Sequence, residues 1–374
     1  MRTVVVTGVA GSLGKRVARL LLARPDVERV VGIDIVTAPA LLAGIVYHVL
    51  DLAAAARTGA PAVERDDPDG ELASLVAGAD GIIHLAWGTA EGRRAGRAEV
   101  RAAAAANHRS MRRLLAAATA APPASLVHLS SATVYGAWAD NPVPLSEGAA
   151  LRPNPDFSFA VEKADAERLL AEFTEAQPDV AVAILRPAVT LGTPHRPLHR
   201  ALGGTGGPRP GDAGASRRVQ YLHVDDLAAA VVLAWSSRLR GVYNVAPDAG
   251  IAEDTARALA GGVARVSVPE RLAGTIWDLG WKLGGVGVPH EARPYAIHPW
   301  VVAGDHLRGS GWVPVYSSEE AYVATDVRPH WDDLPPLRRQ RYTLIGAVTG
   351  ASLGVLAVTG AGVAVLRRRR PLAC

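Results

Sequence analysis

Short apolar runs separated by helix-periodic stretches order the first half of the chain. Thr3–Thr7, Arg29–Asp34, Ile45–Asp51, Gly81–Ala86, Ser125–Ser131 and Val180–Arg186 are predicted strands, and Ser12–Ala23, Glu71–Gly78, Glu99–Ala121 and Phe157–Gln177 predicted helices. The alternation implies an α/β fold, a parallel sheet covered by helices on both faces. Val219–Leu227 and Gly241–Val245 continue the α/β unit, with a helix at Asp225–Ser237 between them.

Elsewhere the periodicity fails. Pro194–Ser216 is rich in Gly, Pro and Arg and reads as a surface loop over a substrate cleft. The Trp-bearing stretch from Val263 to Thr325 is irregular and suits a small substrate-side lobe. Within it Ile276, Trp277, Leu279, Trp281 and Leu283 form the apolar face of a helix, packed either on the core or at a membrane or gate. Leu344–Leu366 carries no charged residue. At about 1.5 Å per residue it spans a hydrocarbon core of ~30 Å, and is predicted to be a transmembrane anchor; a shielded Gly/Ala-rich helix is the alternative. The expected division is 1–250, a nucleotide-binding domain; 251–330, the lobe; 331–343, a basic linker; 344–366, the anchor; and 367–374, a basic tail.

Composition narrows the function classes. A net charge of +4 with pI 9.4 over 374 residues is too slight for a nucleic-acid footprint, and no such partner is expected. The single cysteine, Cys374, excludes an intrachain disulfide and any multi-Cys metal site, so no metal is expected. No secretory signal is evident, so the N-terminal domain is expected to be cytoplasmic, held at the membrane through the anchor. Arg367–Arg370 outnumber Arg338, Arg339 and Arg341 by one and oppose that orientation weakly. Gly346, Gly350 and Gly354 share a helix face, which permits a homodimer.

The strongest chemical signal is Thr7-Gly8-Val9-Ala10-Gly11-Ser12-Leu13-Gly14, between the first strand and the first helix. Gly8, Gly11 and Gly14, with Ser12 and Leu13, let the backbone approach a pyrophosphate at the helix N-terminus. Asp34 ends the next strand 20 residues after Gly14, where a carboxylate binds the adenosine ribose hydroxyls and repels a 2′-phosphate. The cofactor is therefore expected to be NAD, on a Rossmann-type doubly wound sheet.

Further motifs follow in order: Asp51-Leu52, His84-Leu85-Ala86, Asn107, Ser130-Ser131-Ala132-Thr133-Val134-Tyr135-Gly136, Leu185-Arg186-Pro187 and His223-Val224-Asp225-Asp226. Over residues 1–325 this order resembles the extended short-chain dehydrogenases/reductases of the epimerase/dehydratase type. The resemblance implies Asp51 and Leu52 near the adenine, Leu85 and Ala86 lining the cofactor cleft, and Asn107 beside it. It likewise implies Pro187 and Ala188 near the nicotinamide, Lys163 on the nicotinamide ribose and Ser131 on the substrate oxygen. Asn107, His223, Asp225 and Asp226 also have structural readings, as a helix-face polar group, a buried histidine or helix caps.

One departure bears on mechanism. Four residues before Lys163, where the family has its proton-transferring tyrosine, this chain has Phe159. Losing a general acid/base typically costs about 10²–10⁴-fold in rate. Tyr135, Ser158 or water are candidate substitutes. Ser131 and Lys163 remain the catalytic candidates, and two functions stay open. One is a hydride-exchanging enzyme acting on a small or lipid-linked substrate, the other a silent NAD-binding sensor or scaffold.

Overall fold

The structure is a computed structural model, and it describes residues 2–37, 43–54, 68–88, 96–192, 209–210, 218–259, 267–268, 275 and 290–325. The chain divides into compact units at 1–327 and 328–374. The sequence-predicted loop 194–216, the helix at 276–283 and the anchor at 344–366 lie essentially outside the described residues. Among the described residues no helix is long and apolar enough to cross a membrane.

A seven-stranded parallel sheet forms the centre. Its strands are β1 (Arg2–Thr7), β2 (Val27–Asp34), β3 (Ile45–Val49), β4 (Gly81–His84), β5 (Ser125–Leu129), β6 (Ala181–Pro187) and, later in the chain, Gly241–Val245. A short strand, β7 (Val189–Leu191), pairs with β8 (Tyr221–His223), so the Gly241–Val245 strand is β9. The order in the main sheet is β9-β6-β5-β4-β1-β2-β3. The chain therefore winds outward from β1 in both directions, and the crevice opens between β1 and β4, where the direction of winding reverses.

The helices are α1 (Ser12–Leu22), α2 (Pro68–Val76), α3 (Arg97–Ala120), α4 (Ser158–Ala176) and α5 (Val224–Ser236). Buried Gly14, Val17, Ala18 and Leu21 give α1 one apolar stripe at helical spacing. Alternate β1 residues serve opposite faces. Val4 and Val6 pack with Val17, Leu21, Val231 and Trp235, and Val5 packs with Leu72, Met111, Leu114 and Leu170. A sheet buried on both sides explains why its strands read as unbroken apolar runs.

Three strands end two residues earlier than the apolar runs predict, and each early end places a motif in a turn. The Asp51 carboxylate accepts from Ala53 N at 2.8 Å, an Asx turn that closes β3. Ser131 caps a 3-10 turn, Ala132–Tyr135, accepting from Thr133 N at 3.2 Å, so β5 stops at Leu129. Leu85 and Ala86 leave β4 and lie against Thr7, with Ala86 N donating to Thr7 Oγ1 at 3.3 Å.

The described residues 290–325 belong to the same compact unit and are held to this framework by polar contacts. Tyr295 donates its hydroxyl to Thr133 O at 2.7 Å, and Leu145 bridges Val302. Buried Asp226 accepts from Val315 N at 2.8 Å and Tyr316 N at 3.0 Å, so it holds that later segment and does not cap a helix. The cap of α5 is His223, whose Nδ1 accepts from Asp225 N at 3.2 Å, while Asp225 pairs with Arg16 of α1.

Candidate active site

The glycine turn is a cradle that a side chain would fill. Gly8 has φ +75°, and a Cβ there would lie 2.7 Å from Ala86 N. A Cβ on Gly14 would lie 2.2 Å from Gly8 O and 2.7 Å from Val9 Cα, so β1 and α1 meet this closely only because position 14 is bare. Gly11 N donates to Gly8 O at 3.1 Å and tightens the turn. No side chain caps α1 and no acid occupies its first turn, which leaves the Ser12–Leu13 end of the helix favourable to an anion.

Asp34 sits across this turn. Its carboxylate accepts from Ala10 N at 2.9 Å and from Ile35 N at 2.8 Å, and these two bonds fix its plane beside the cradle. With the bare glycines, this donor and acceptor set fits the pyrophosphate and ribose of NAD. Asp34→Ala is expected to erase a preference for NADH over NADPH of about tenfold or more, the value of one or two charge-assisted bonds. Calorimetry with both nucleotides measures it, and equal affinities in the parent protein would remove Asp34 from the ribose.

The other cofactor candidates line the same edge. Leu52 is buried and its carbonyl accepts from Arg113 Nη1 at 3.1 Å, while Asp51 is exposed. Leu85 N donates to Thr7 O at 3.2 Å. Asn107 exchanges two 2.8 Å bonds with the Gly88 backbone and donates to Glu162 at 2.8 Å. It thus holds the loop after Ala86 in place, a positioning role. Pro187 ends β6 and Ala188 N donates to Val245 O at 3.0 Å, which puts both at the C-terminal edge with Ser131.

Lys163 is 4% exposed; it donates to Leu129 O at 2.7 Å and lies 3.6 Å from the centroid of the Trp87 ring. The Phe159 ring is 5.9 Å from the same ammonium, half-buried and 5.8 Å from the Phe157 ring. Phe159 therefore presents a ring without a titratable group. Tyr135 does not replace it. Its hydroxyl is buried, donates to Asn244 Oδ1 at 2.8 Å and accepts from Arg186 Nη1 at 2.7 Å, and burial raises its pKa above the ordinary phenol value.

The Leu-Arg-Pro motif also has a structural cause. Arg186 and Glu167 form a buried pair closing to 2.5 Å, and Glu167 accepts a further bond from Ser130 Oγ. This network ties α4 to β5 and β6, and so sets where Ser131 and Lys163 stand. A pair this buried is costly to break from one side, about 3–5 kcal/mol.

Sequence reasoning passed over Trp87, His128 and Glu162. Trp87 directly follows the His-Leu-Ala motif and covers Lys163. Glu162 carries a raised pKa, from burial against bonds with Asn107 and Ser158. His128 stands opposite His84 in register. The legible signal was a pair of histidines, each inside a predicted apolar strand. Among the described residues no group of three His, Cys, Asp or Glu residues is arranged to hold a metal.

The profile of the NAD dependent epimerase/dehydratase family matches residues 4–246. The chain belongs to this family. Solved structures with the same fold include the Thermus thermophilus UDP-glucose 4-epimerase complexed with NAD. It has TM-score 0.62 and 22% identity, over 86% of this chain and 97% of that one. A Methanobrevibacter ruminantium UDP-N-acetylglucosamine 4-epimerase aligns with TM-score 0.60 and 19% identity, over 87% and 96%. A Streptomyces venezuelae dTDP-glucose 4,6-dehydratase double mutant with NAD bound aligns with TM-score 0.58 and 22% identity, over 87% and 95%. At these identities the structures establish the fold alone. None of the curated proteins matches the chain.

Proposed function

We propose that this family member exchanges a hydride between NAD and a hydroxyl-bearing carbon of its substrate, in the manner of an epimerase, dehydratase or dehydrogenase. The observation that carries the reading is the convergence of the glycine cradle, Asp34, Lys163 and Ser131 on one edge of the sheet. NAD, when bound, supplies the hydride acceptor. Lys163 would hold its nicotinamide ribose, and Ser131 would orient the substrate oxygen from the turn that it caps. Nucleotide sugars are the first substrate class to test, since the aligned enzymes are named for them; a lipid-linked substrate is the second.

Incubating the full chain with NAD and a panel of UDP- and dTDP-sugars tests the proposal. Bound NADH or an epimerised sugar is the expected result. Tight NADH binding without exchange on any member would favour a silent NAD-binding sensor or scaffold, the reading supported by Phe159 lying against Phe157 where a phenol is needed.

The uncharged run Leu344–Leu366 supports membrane anchoring, with the Rossmann unit cytoplasmic and the Gly346, Gly350 and Gly354 face available to a second copy. Fractionation with protease protection of spheroplasts is expected to give a membrane-bound protein whose N-terminal domain is shielded. Full recovery in the soluble fraction would remove the anchor.

A further inference from the structure

Beneath Lys163 the sheet carries a row of polar side chains on an otherwise apolar face. Thr7, His84 and His128 stand in register across β1, β4 and β5. The face they share is the one on which Val5, Ile82 and Leu126 pack with α2 and α3. His84 is 1% exposed and His128 fully buried. Their rings stack at 5.5 Å, the Trp87 ring meets His128 edge-on at 6.1 Å, and Lys163 lies against the Trp87 face.

The hydrogen-bond count in this cluster does not close. Thr7 Oγ1 lies 2.7 Å from His84 Nδ1 and also accepts from Ala86 N, and in either tautomer of His84 the Nε2 atom is left with a donor or an acceptor to satisfy. Among the described residues His84 Nε2, both nitrogens of His128 and Trp87 Nε1 are buried without a protein partner. Burial, aided by the nearby Lys163 charge, lowers His84 to about 3 and holds His128 well below the usual imidazole value, so both rings are neutral. Each neutral ring has one donor and one acceptor. The cluster therefore offers donors, from Trp87 and one nitrogen of His128, and an acceptor on the other nitrogen of His128, with His84 Nε2 adding one more of either kind.

Water matches this set, because it accepts two bonds and donates two, and a buried water typically makes about three. An anion would leave the His128 acceptor unmet, and an apolar occupant would leave all four atoms unmet, against the general satisfaction of buried polar groups. We propose that His84, His128 and Trp87 hold ordered water against Lys163, and that through this water His128 is a positioning residue for the Lys163 ammonium. The proposal rests on the reading of Lys163 as the contact to the nicotinamide ribose. Leu129 O takes one ammonium proton from below, and the hydrated histidine pair steadies the group from the side, so that its charge faces the cofactor.

The test uses the full chain. Imidazole nitrogen NMR of the parent is expected to show two neutral rings whose N–H protons contact bound water. His128→Phe is expected to lower the urea midpoint and weaken NADH binding about tenfold, the loss of roughly one hydrogen bond to a charged group. His128→Gln, which keeps a donor and an acceptor, is expected to restore NADH affinity to within about threefold. A higher urea midpoint in His128→Phe, as relief of a dry pocket would give, overturns the proposal, and so does unchanged NADH affinity. If His128→Phe does not fold, the parent spectrum decides, and rings without water contacts overturn the proposal. A parent that binds no NADH refutes the cofactor reading instead, while the water contacts remain measurable.

Discussion

Gly14→Ala is expected to abolish measurable NAD binding while leaving a folded protein. The added Cβ would sit 2.2 Å from Gly8 O and 2.7 Å from Val9 Cα, both backbone atoms that no rotamer change can clear. Relief requires α1 to move away from β1, which draws the Ser12–Leu13 end of the helix out of line with Asp34. The apolar stripe of Val17, Ala18 and Leu21 lies farther along the helix and still packs, so the loss falls on the site more than on the core. Overpacking of this kind costs about 1–3 kcal/mol in stability, and the cofactor loses charge-assisted hydrogen bonds at the helix end, each about 1.5–3 kcal/mol. Titration of NADH fluorescence with a parallel urea melt separates the two effects. Binding within about threefold of the parent would show that the cradle is not where the cofactor sits.

The same glycines show what was legible before the fold was known. Gly8, Gly11 and Gly14 announce themselves because only a bare backbone permits the approach, and Asp34 because strand length and spacing put it at the sheet edge. Backbone sterics are local, so sequence carries them. The strands were legible for a similar reason, since a sheet buried on both faces leaves an unbroken apolar run. Their ends were not, because the closing of β3 and β5 depends on side-chain turns at Asp51 and Ser131 that compete with the ladder.

The site was read less completely where a residue acts through a partner far along the chain. His223, Asp225 and Asp226 stand together in one motif and do three different things: one caps α5, one pairs with Arg16, one holds Val315 and Tyr316. Arg186 belongs to a recognisable motif, but its pairing with Glu167 is visible only when α4 lies on β6. Trp87 over Lys163 gives no periodic signal, because a residue in a loop after a strand has no fixed facing direction. Spacing identified Phe159 as the departure from the family pattern, and the structure adds that the Tyr135 hydroxyl is committed to Asn244 and Arg186 and does not replace the missing phenol.

Phe159→Tyr is therefore expected to raise the rate of hydride exchange, by about 10²-fold or more where proton transfer limits turnover. The substitution keeps the ring and its packing beside Phe157, so NADH affinity and the urea midpoint are expected to change little. A phenol on this ring, whose centre is 5.9 Å from the Lys163 ammonium, gains a neighbouring positive charge that favours its ionised form and lowers its pKa. In the oxidising direction the ionised phenol is the base, so the gain is expected to grow as pH rises through that pKa and to vanish well below it. The parent lacks this limb of the pH profile, and its appearance distinguishes proton transfer from a general improvement in packing. Single-turnover measurement of bound NADH formation against pH, parent beside variant, reads both the size and the shape of the effect. An unchanged rate, with a parent that already turns over quickly, would assign the proton to a different group, with half-buried Glu162 of raised pKa on the same helix the first to replace by glutamine.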